Sequence, residues 1–530
     1  MIFWYLYLLT AAVLSFSGYI ILDIFLTAAL AVVVHLLPRF TPSKSRVIAG
    51  LKVFAVAAAA SALLWRASYL PPVSKLITFA ANAATRPSPA YILGFIRQFL
   101  NFQMILAGAG LFAAAAFAYR KAPRVFVVSV YFVFAAAWTM QPAQHIGDMG
   151  GATPEAFYKN ESGRIVRFSA PAKNSPPFDI ILLHVCSLSW QDIKDSGSDL
   201  TGFFSKFDYV FTGFNAAGSS SGPAALRLLK SPCGQTPLGR LYAGAPADCY
   251  LLDKLRDSGF KTYTVFNHTG RYGDFSVSLQ RDGHADAPLS LSGLSAAYQM
   301  FDGTFLYADN EALHEFWKVR ADSGAPRAVL YYNTADLHSG THKPGVSRRP
   351  DDAASYRERL VEMTVQLEEF FSEVKSSGRN VVVVFVPEHG AALSWTKMQS
   401  KGLREIPLPS ITLVPVAVKL IGKNFYAGAL KPRIITKPAG TQALAWLIAE
   451  FLRHNPYTRD AREPGIIASE IPSTDFLAEN DKAAVMRAGS GYIYRLNWKN
   501  GGRWVPLPDY AGTRPGTIPL PRDFNGNKRP

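Results

Sequence analysis

The chain has 530 residues, of which 49% are hydrophobic and 13% aromatic, so it is too long for one ordinary domain and too apolar to be disordered. Its formal net charge is +16, and the first 150 residues hold 11 Lys and Arg residues against only Asp23 and Asp148. Basic residues within the most hydrophobic part of a chain favour a membrane protein with cationic loops over a nucleic-acid-binding protein. Three cysteines exclude a disulfide-rich scaffold and a four-cysteine zinc or iron–sulfur site.

Five hydrophobic runs, each near the ~20 residues that a helix needs to cross a bilayer, lie between residues 2 and 142. They cover residues 2–17, 19–37, 47–65, 101–119 and 125–142. The first run has no basic start and further runs follow it, which favours a membrane helix over a cleaved signal peptide. The intervening residues 66–100, which include Leu70-Pro71-Pro72, are expected to lie along the membrane surface.

Basic residues in two short loops predict the orientation of these helices. They follow the second and the fourth run and are Arg39, Lys44, Arg46, Arg120, Lys121 and Arg124. Because cytoplasmic loops are enriched in Lys and Arg, we expect the N-terminus in the cytoplasm and everything after the fifth helix outside it. In that oxidising compartment Cys233 and Cys249 either form a disulfide or remain two buried thiols.

The composition changes near residue 146, where short apolar runs begin to alternate with amphipathic stretches. The predicted strands cover residues 178–185, 261–266, 328–333, 380–386 and 409–418, and the predicted helices cover residues 222–230, 354–376 and 441–454. Continuous apolar strands that alternate with helices are typical of a parallel sheet covered on both faces. We therefore expect a transmembrane domain (1–145), a linker (146–175), an extracytoplasmic α/β sandwich domain (176–500) and a Pro- and Gly-rich tail (501–530).

Polar side chains follow several of these strands, at the edge of the sheet where ligands bind in folds of this kind. They are Cys186, His268, His338, His342, Glu388 and His389. Each has an ordinary explanation by itself, as a buried small side chain, a solvated pair or a loop hydrogen bond. Together, a thiolate, a carboxylate and an imidazole in one crevice form a ligand set that suits Zn²⁺.

A second feature is the stretch 218–230, in which Gly222 and Pro223 indicate the start of a helix. Ser221 then lies at or beside the N-cap, where serine is common as a plain capping residue. The same position favours an anion such as phosphate, and a nearby Zn²⁺ would make the hydroxyl a nucleophile at neutral pH. The combination points to phosphoryl or sulfuryl transfer through a covalent enzyme intermediate.

These residues and their order resemble the membrane-anchored members of the alkaline phosphatase superfamily, and among them the bacterial cellulose phosphoethanolamine transferases. The resemblance spans nearly the whole chain and is carried by four segments. They are Val185-Cys186-Ser187-Leu188-Ser189-Trp190, the stretch from Phe214 through Ser221-Gly222-Pro223-Ala224 to Gln235, Pro387-Glu388-His389-Gly390-Ala391-Ala392-Leu393, and Gly402-Leu403-Arg404-Glu405-Ile406-Pro407. The resemblance implies an alkaline-phosphatase-like catalytic domain in the periplasm, behind about five helices in the bacterial inner membrane.

The resemblance also implies a role for each matched residue. Ser221 is the expected nucleophile, His338 a catalytic histidine near the phosphate, and Arg404 a ligand of the phosphate oxygens. The expected zinc ligands are Cys186, Ser221, Glu388 and His389, and the expected disulfide joins Cys233 to Cys249. The sequence departs from the family at Ser220, where a tyrosine is frequent. It is less similar to the lipid A transferases, which use a threonine nucleophile and an Asp-His pair.

The implied reaction is zinc-dependent transfer of phosphoethanolamine from phosphatidylethanolamine to the glucose 6-hydroxyl of cellulose through a covalent Ser221 intermediate. The implied partners include the membrane and subunits of a cellulose synthase complex, with no nucleic acid. One alternative is a phosphoethanolamine or glycerol-phosphate transferase that acts on another envelope glycan or on lipid A. Another is a non-catalytic assembly partner of a cellulose synthase complex. A sulfatase is disfavoured, because its modification motif requires an arginine where this chain has Ala225.

Overall fold

The computed structural model describes most of the chain. The described ranges are residues 2–16, 22–40, 46–70, 102–139, 153–346, 353–496 and 504–507, without positions 173, 301, 397, 424–431 and 460 and with the single positions 20, 73 and 77 added. Contacts divide the structure into two compact units, one of helices before residue 140 and one that holds the strands. Most of the predicted surface segment 66–100 and of the tail 501–530 lies outside the described residues.

The first unit has helices at all five positions that the hydrophobic runs predict. They are α1 (Ile2–Phe16), α2 (Ile24–Phe40), α3 (Arg46–Ala67), α4 (Phe102–Lys121) and α5 (Pro123–Thr139). Helix α2 begins at residue 24 and not at the predicted residue 19. The reason is local, because the carboxylate of Asp23 accepts a hydrogen bond from the N–H of Leu26 (3.1 Å) and so caps the helix start.

The helices of this unit carry many exposed apolar side chains. Helix α1 packs against α5, where Trp4 Nε1 donates a hydrogen bond to the hydroxyl of Tyr131 (3.1 Å). Helices α2 and α5 expose large side chains such as Phe25, at 84% exposure, and Phe132, at 75%. Within the described residues, one helix segment, Gly50–Ala67, is both long and apolar enough to cross a membrane. The shorter apolar segments are Trp4–Phe16, Phe25–His35 and Pro123–Thr139.

The second unit is built around a seven-stranded sheet. The strands are β1 (Asp179–Val185), β2 (Tyr209–Asn215), β3 (Lys261–Phe266), the short pair β4 (Tyr298–Gln299) and β5 (Phe305–Leu306), β6 (Ala328–Thr334), β7 (Val381–Pro387), β8 (Leu413–Ile421) and β9 (Arg433–Ile435). The sheet order is β3-β6-β1-β7-β8-β2-β9, while β4 and β5 form a separate hairpin. The predicted α/β architecture is confirmed.

Both faces of the sheet are buried, as the continuous apolar strands predict. Ile180 and Leu182 of β1 enter the core on one face, and Ile181 and Leu183 enter the core on the other. This two-residue alternation follows from the strand geometry, which points successive side chains to opposite faces. Fully burying a side chain of this size contributes about 1.5–3 kcal/mol, so both covering layers of helices are needed for stability.

The prediction of parallel strands is wrong for β8. Strand β8 runs antiparallel to both neighbours, β7 and β2, whereas β3, β6, β1 and β7 pair in parallel. It also starts at Leu413 instead of residue 409, because Pro409–Thr412 form a helical turn. Pro409 occupies the first turn of that helix, where its missing N–H is not needed.

The helices of this unit cover the sheet and lead into its loops. They are α6 (Pro154–Ser162), α7 (Trp190–Asp195), α8 (Thr201–Phe204), α9 (Ser221–Leu229), α10 (Leu238–Leu241), α11 (Leu251–Asp257), α12 (Phe275–Gly283), α13 (Asp309–Asp322), α14 (Ala353–Ser376), α15 (Pro409–Thr412), α16 (Thr441–Arg453) and α17 (Pro464–Glu470), with short 3₁₀ turns at Ala247–Cys249 and Tyr272–Asp274. The three predicted helices correspond to α9, α14 and α16, each within one residue at both ends.

Two regions are more ordered than the sequence predicts. The expected linker 146–175 contains α6, whose Phe157 packs against Leu477 and Trp504. Four further strands form a small antiparallel sheet, namely β10 (Leu477–Glu479), β11 (Ala483–Ala488), β12 (Gly491–Leu496) and β13 (Val505–Pro506). Strand β13 thus brings part of the expected tail into this sheet.

The predicted disulfide between Cys233 and Cys249 is present. The two cysteines are 16 residues apart in the chain, and closing a loop of that size in the unfolded state stabilises the fold by about 3 kcal/mol in the chain-entropy model. The bond ties the end of the α9 region to α11, while Cys186 remains a buried free thiol.

Candidate metal centre and active site

The parallel pairing of β1 with β7 brings Cys186 and Glu388 together. Val185 is in register with Pro387, so the residues that follow each strand are neighbours although about 200 positions separate them in the chain. The N–H of Glu388 donates to the carbonyl of Val185 (2.8 Å), which continues the ladder one step beyond the strands. Both side chains are buried. The register of the sheet therefore determines the distance between the thiol and the carboxyl.

Ser221 reaches the same point from the start of helix α9. It is the first helical residue, one position after the N-cap residue Ser220, whose side chain makes no capping hydrogen bond. Ser221 Oγ lies 3.7 Å from Cys186 Sγ and 3.4 Å from His389 Nε2. A hydroxyl at a helix start has unpaired backbone N–H groups and the positive end of the helix dipole beside it, which favours a negatively charged group there.

His389 presents one ring nitrogen to this cluster and fixes the other on the backbone. Its Nδ1 is 3.0 Å from the carbonyl of Gly390, which makes Nδ1 the protonated nitrogen and leaves the Nε2 lone pair toward Ser221. Gly390 is required by space, because a Cβ there would lie 2.6 Å from Asp192 Oδ2. The carboxylate of Asp192 also accepts the N–H of Ala391 (2.8 Å) and so holds the loop after His389.

The donor atoms of Cys186, Glu388 and His389 fit a metal ion. They lie within 4.8 Å of one another, and all three side chains are buried. Glu388 Oε1 accepts a hydrogen bond from Asn333 Nδ2 (2.6 Å), whereas Glu388 Oε2 is buried with no hydrogen-bond partner in the described structure. A buried carboxylate oxygen without a donor is costly, and a cation would satisfy it.

Burial shifts all three ligands toward their neutral forms when no cation is present. It raises the pKa of the Cys186 thiol to about 12 and raises the pKa of Glu388, and it lowers the pKa of His389 well below its usual range. A bound cation reverses the preference of the thiol and the carboxyl, because it stabilises their charged forms. Neutral His389 already has the protonation state that a metal ligand requires.

A chain of hydrogen bonds behind the cluster orients Glu388. Asn333, at the end of β6, donates to Glu388 Oε1, and its Oδ1 is 2.8 Å from His268 Nε2. His268 Nδ1 accepts the N–H of Gly270 (3.0 Å), so Nε2 carries the proton and donates to Asn333. His268 thus supports the site through Asn333, whereas His342 pairs with Gln299 through its backbone and its ring is 3.0 Å from the carbonyl of Gly340.

The loop that carries Arg404 is held against the helix start. Arg404 Nη1 donates to Ser187 Oγ (3.3 Å), and Ser187 Oγ is in turn 3.3 Å from Cys186 Sγ. The Arg404 carbonyl accepts hydrogen bonds from Ser219 Oγ (2.7 Å) and from Asn480 Nδ2 (3.2 Å). Ser187 is fully buried and has a left-handed backbone with φ of 62°, a strain that is typical of functional sites.

His338 lies on the loop after β6, and this loop approaches the loop of Arg404, since a Cβ at Gly402 would lie 3.7 Å from Ser339 Oγ. Its Nδ1 is 2.9 Å from the carbonyl of Ser339. Burial, followed by the charge of Arg404, lowers its pKa to about 4, and the charge of His338 itself contributes to the lowered pKa of His389. All the residues expected from the sequence to form the site, Cys186, Ser221, His338, Glu388, His389 and Arg404, therefore lie in one region of the α/β unit.

Five residues that support this site were not predicted from the sequence. They are His184, Ser187, Asp192, Asn333 and Asn480. For His184 and Asn333 a signal exists, since each is a polar residue inside an otherwise apolar strand. A buried polar side chain at such a position needs a partner, and here the partner is Glu388 or its neighbour.

The stability of the fold is expected to depend on pH through His184. Its Nδ1 is 2.8 Å from the hydroxyl of Tyr331, and burial lowers its pKa to about 3. Because the folded state binds this proton less readily than the unfolded state, the contribution is complete above about pH 6.5 and is lost as the pH falls toward 3. We expect a loss of about 1.4 kcal/mol per pH unit from His184 in the free energy of unfolding.

Urea unfolding of the wild type and of His184→Asn between about pH 7 and pH 4 measures this effect. The variant is expected to be less stable at neutral pH but to lose stability less steeply on acidification. Parallel curves for the two proteins would contradict the assignment.

Several solved structures are similar to this chain, all at low sequence identity. Integral membrane protein lipooligosaccharide phosphoethanolamine transferase A from Neisseria meningitidis is 14% identical with a TM-score of 0.44, covering 75% of this chain and 81% of that one. A protein in the alkaline phosphatase superfamily from Vibrio parahaemolyticus is 14% identical with a TM-score of 0.45, covering 68% and 93%. The zinc complex of the C-terminal periplasmic domain of EcEptC from Escherichia coli is 13% identical with a TM-score of 0.39, covering 59% and 94%.

Two proteins are more similar to this chain in sequence than the solved structures above. "Cellulose biosynthesis protein BcsG" of Escherichia coli K12 is 32% identical over 95% of this chain and 96% of that protein, and the protein of the same name in Salmonella typhimurium LT2 is 33% identical over 84% and 86%. The family models of the BcsG N-terminal domain and C-terminal domain match residues 4–140 and 137–504. The chain therefore belongs to the family of the cellulose biosynthesis protein BcsG.

Proposed function

We propose that this chain transfers phosphoethanolamine from phosphatidylethanolamine to the glucose 6-hydroxyl of cellulose, with Ser221 as the covalent carrier. The observation that carries the proposal is the meeting of Ser221 Oγ with Cys186 Sγ and His389 Nε2 at the start of helix α9. A nucleophilic hydroxyl, a metal-ligand set and a helix start at one point suit attack on a phosphate ester. The family is described as a cellulose biosynthesis protein, which supports cellulose as the acceptor.

Zn²⁺ is the metal that best suits the donor set. A thiolate and an imidazole select zinc over the hard cations, and the oxygens of Glu388 and Ser221 would complete four ligands. Cys186, Glu388, His389 and Ser221 are the residues that would hold it. When bound, the ion lowers the pKa of a hydroxyl and stabilises negative charge on phosphoryl oxygens. Asn333 and the Gly390 carbonyl orient the carboxylate and the imidazole for that role.

Ser221 and Arg404 carry out the first half of the reaction. Ser221 Oγ attacks the phosphorus, and the bond from phosphorus to the diacylglycerol oxygen breaks. Arg404 binds the non-bridging oxygens, where charge accumulates. This role is supported by its Nη1, which donates to Ser187 Oγ (3.3 Å), because that hydroxyl in turn lies 3.3 Å from Cys186 Sγ. The proton that Ser221 loses is balanced by the proton that the diacylglycerol oxygen receives, and the product is phosphoethanolamine esterified to Ser221.

His338 exchanges the protons in both halves of the reaction. It donates a proton to the departing diacylglycerol oxygen. It then accepts a proton from the glucose 6-hydroxyl, whose oxygen bonds to phosphorus while the bond from phosphorus to Ser221 Oγ breaks and Oγ leaves in its deprotonated form. The pKa of about 4 without substrate keeps its imidazole neutral at pH 7, which is the form needed to accept that proton. The anionic phosphate raises the pKa of His338 while substrate is bound, which restores its ability to act as an acid.

The helical unit is proposed to anchor the enzyme in the bacterial inner membrane. In this proposal five helices within residues 1–145 span the bilayer, residues 146–175 connect them to the catalytic domain (176–500), and that domain lies in the periplasm. The exposed apolar side chains of α2 and α5 and the Cys233–Cys249 disulfide support this arrangement. The anchor keeps the site near its lipid donor, and subunits of a cellulose synthase complex are the proposed source of the acceptor chain.

An acceptor assay tests the proposal. The full chain in vesicles that contain phosphatidylethanolamine is supplied with cellulose oligomers, with other glucan oligomers or with lipid A, and the products are identified by mass spectrometry. We expect phosphoethanolamine on the cellulose oligomers at a rate at least about tenfold above the other acceptors, as expected when the site contacts several acceptor groups. Equal transfer to all acceptors, or transfer to lipid A alone, would contradict cellulose as the substrate.

A further inference from the structure

Two side chains beside His338 have no role in the chemistry described above. Tyr272 is 45% exposed, and the centroid of its ring is 6.3 Å from that of the His338 ring. Asp302 lies at the tip of the β4–β5 hairpin, partly exposed, where its Oδ1 accepts the N–H of Thr304 (2.9 Å). An exposed aromatic ring thus lies beside His338, and a carboxylate lies on a hairpin that is hydrogen-bonded to the loop after His338.

The loop that carries Tyr272 is held by residues that also support the candidate metal centre. His268, four positions before Tyr272, stacks on Phe266, with ring centroids 5.1 Å apart and planes at 6°. Its Nε2 also forms a hydrogen bond with Asn333 Oδ1. The loop then closes through a hydrogen bond from the N–H of Ser276 to the carbonyl of Gly270 (2.9 Å). Gly270 needs its left-handed φ of 66°, and a Cβ there would lie 3.0 Å from the Phe266 ring. The Tyr272 loop is therefore held in place, which lowers the cost of binding a ligand.

The hairpin that carries Asp302 is held to the His338 loop. Gln299 and His342 exchange two backbone hydrogen bonds of 2.8 and 2.9 Å, and the N–H of Thr341 donates to the carbonyl of His338 (3.2 Å). Burial and the charge of Arg404 lower the pKa of His338, and the negative charge of Asp302 acts in the opposite direction. The loop and the hairpin thus place one negative charge next to a site that otherwise has a positive potential from Arg404.

The charges of the substrate match this arrangement. The phosphate of the donor is anionic and would lie by Arg404 and Ser221, whereas the amine of ethanolamine is a cation only two carbon atoms away from the phosphate ester oxygen. Arg404 repels that ammonium group. A carboxylate and the face of an aromatic ring are the protein groups that bind an ammonium ion, and both occur beside His338.

We propose that Tyr272 and Asp302 form the subsite that binds the ammonium group of the donor, and that they select ethanolamine over uncharged phospholipid headgroups. The inference rests on the proposed function and extends it from the phosphate to the headgroup. It assigns donor specificity to residues that do not touch the reacting phosphorus. A glycerol-phosphate donor, which lacks the cation, would gain nothing from this subsite.

A competition between two donors tests the subsite. The full chain is placed in vesicles that contain equal amounts of phosphatidylethanolamine and phosphatidyl-N-acetylethanolamine, which has the same ester but no cation. Intact-protein mass spectrometry then shows which headgroup Ser221 carries. We expect the wild type to carry mainly phosphoethanolamine, Asp302→Asn to reduce the ratio of the two adducts about tenfold, and Tyr272→Ala to reduce it about threefold.

Conservative variants separate recognition from a loss of structure. Asp302→Glu and Tyr272→Phe keep the charge and the ring and are expected to retain most of the preference. Asp257→Asn removes one exposed surface charge on α11 and serves as the matched control, with an unchanged ratio. An Asp302→Asn ratio equal to that of the wild type would overturn the inference, as would a wild type that carries the two headgroups equally. A wild type without either adduct would overturn the proposed function itself.

Discussion

The Ser221→Ala variant is expected to form no phosphoethanolamine adduct and to lose transfer activity by at least about a thousandfold. The physical reason is that, in the proposed reaction, phosphorus is bonded to Ser221 Oγ in the covalent intermediate. No backbone group can replace it, and the Ser187 hydroxyl nearby is fully buried between Cys186 and Arg404. Incubation with phosphatidylethanolamine vesicles followed by intact-protein mass spectrometry measures the adduct directly.

The neighbouring serine provides a matched control for this experiment. Ser220 is the N-cap residue of α9, and its side chain makes no capping hydrogen bond. Ser220→Ala therefore removes an identical hydroxyl one position away and is expected to keep both the adduct and the transfer activity within a few-fold of the wild type. If the adduct persists in Ser221→Ala and disappears in Ser220→Ala, the nucleophile has been assigned to the wrong serine.

The Cys186→Ser variant is expected to bind Zn²⁺ at least about 100-fold more weakly than the wild type, because a hydroxyl is a poor zinc ligand at neutral pH. Activity should fall with the metal content. The thiol pKa of about 12 in the absence of a cation means that the wild type releases a proton from Cys186 when the metal binds. The variant should lose that proton release, which calorimetry in buffers of different ionisation enthalpy can detect.

Metal content and spectroscopy distinguish a lost ligand from a misfolded protein. Elemental analysis of the full chain after dialysis gives the zinc stoichiometry, and substitution with Co²⁺ gives a thiolate absorption band that requires Cys186. The double variant Cys233→Ser/Cys249→Ser is the control, because those two sulfurs are committed to a disulfide. Unchanged zinc stoichiometry in Cys186→Ser, or loss of the thiolate band only in the double variant, would remove Cys186 from the metal centre.

The glycine in strand β2 shows why part of the fold could not be predicted. Gly213 interrupts the apolar run Tyr209–Asn215, and glycine weakens a strand by its own propensity. In the folded chain a Cβ at this position would lie 3.2 Å from the carbonyl oxygens of Thr436 and Lys437. Only glycine therefore lets strand β2 pass this close to the backbone of residues 436 and 437. This contact is made by a segment more than 200 positions away, so no local sequence pattern predicts it.

The sequence alone determined which residues form the central strands and which polar residues follow them. Strands β1, β6 and β7 are continuous apolar runs, so the two-residue period of a strand and the burial of both faces place Cys186 and Glu388 at the strand ends. Tertiary structure alone decided that β8 runs antiparallel, that Asn333 and His184 contact the carboxyl of Glu388, and that Tyr272 lies by His338. The physical reason is the distance along the chain over which each effect acts. Period and capping act within a few residues, whereas these contacts join segments tens to hundreds of positions apart, and only the register of the packed strands brings them within bonding distance.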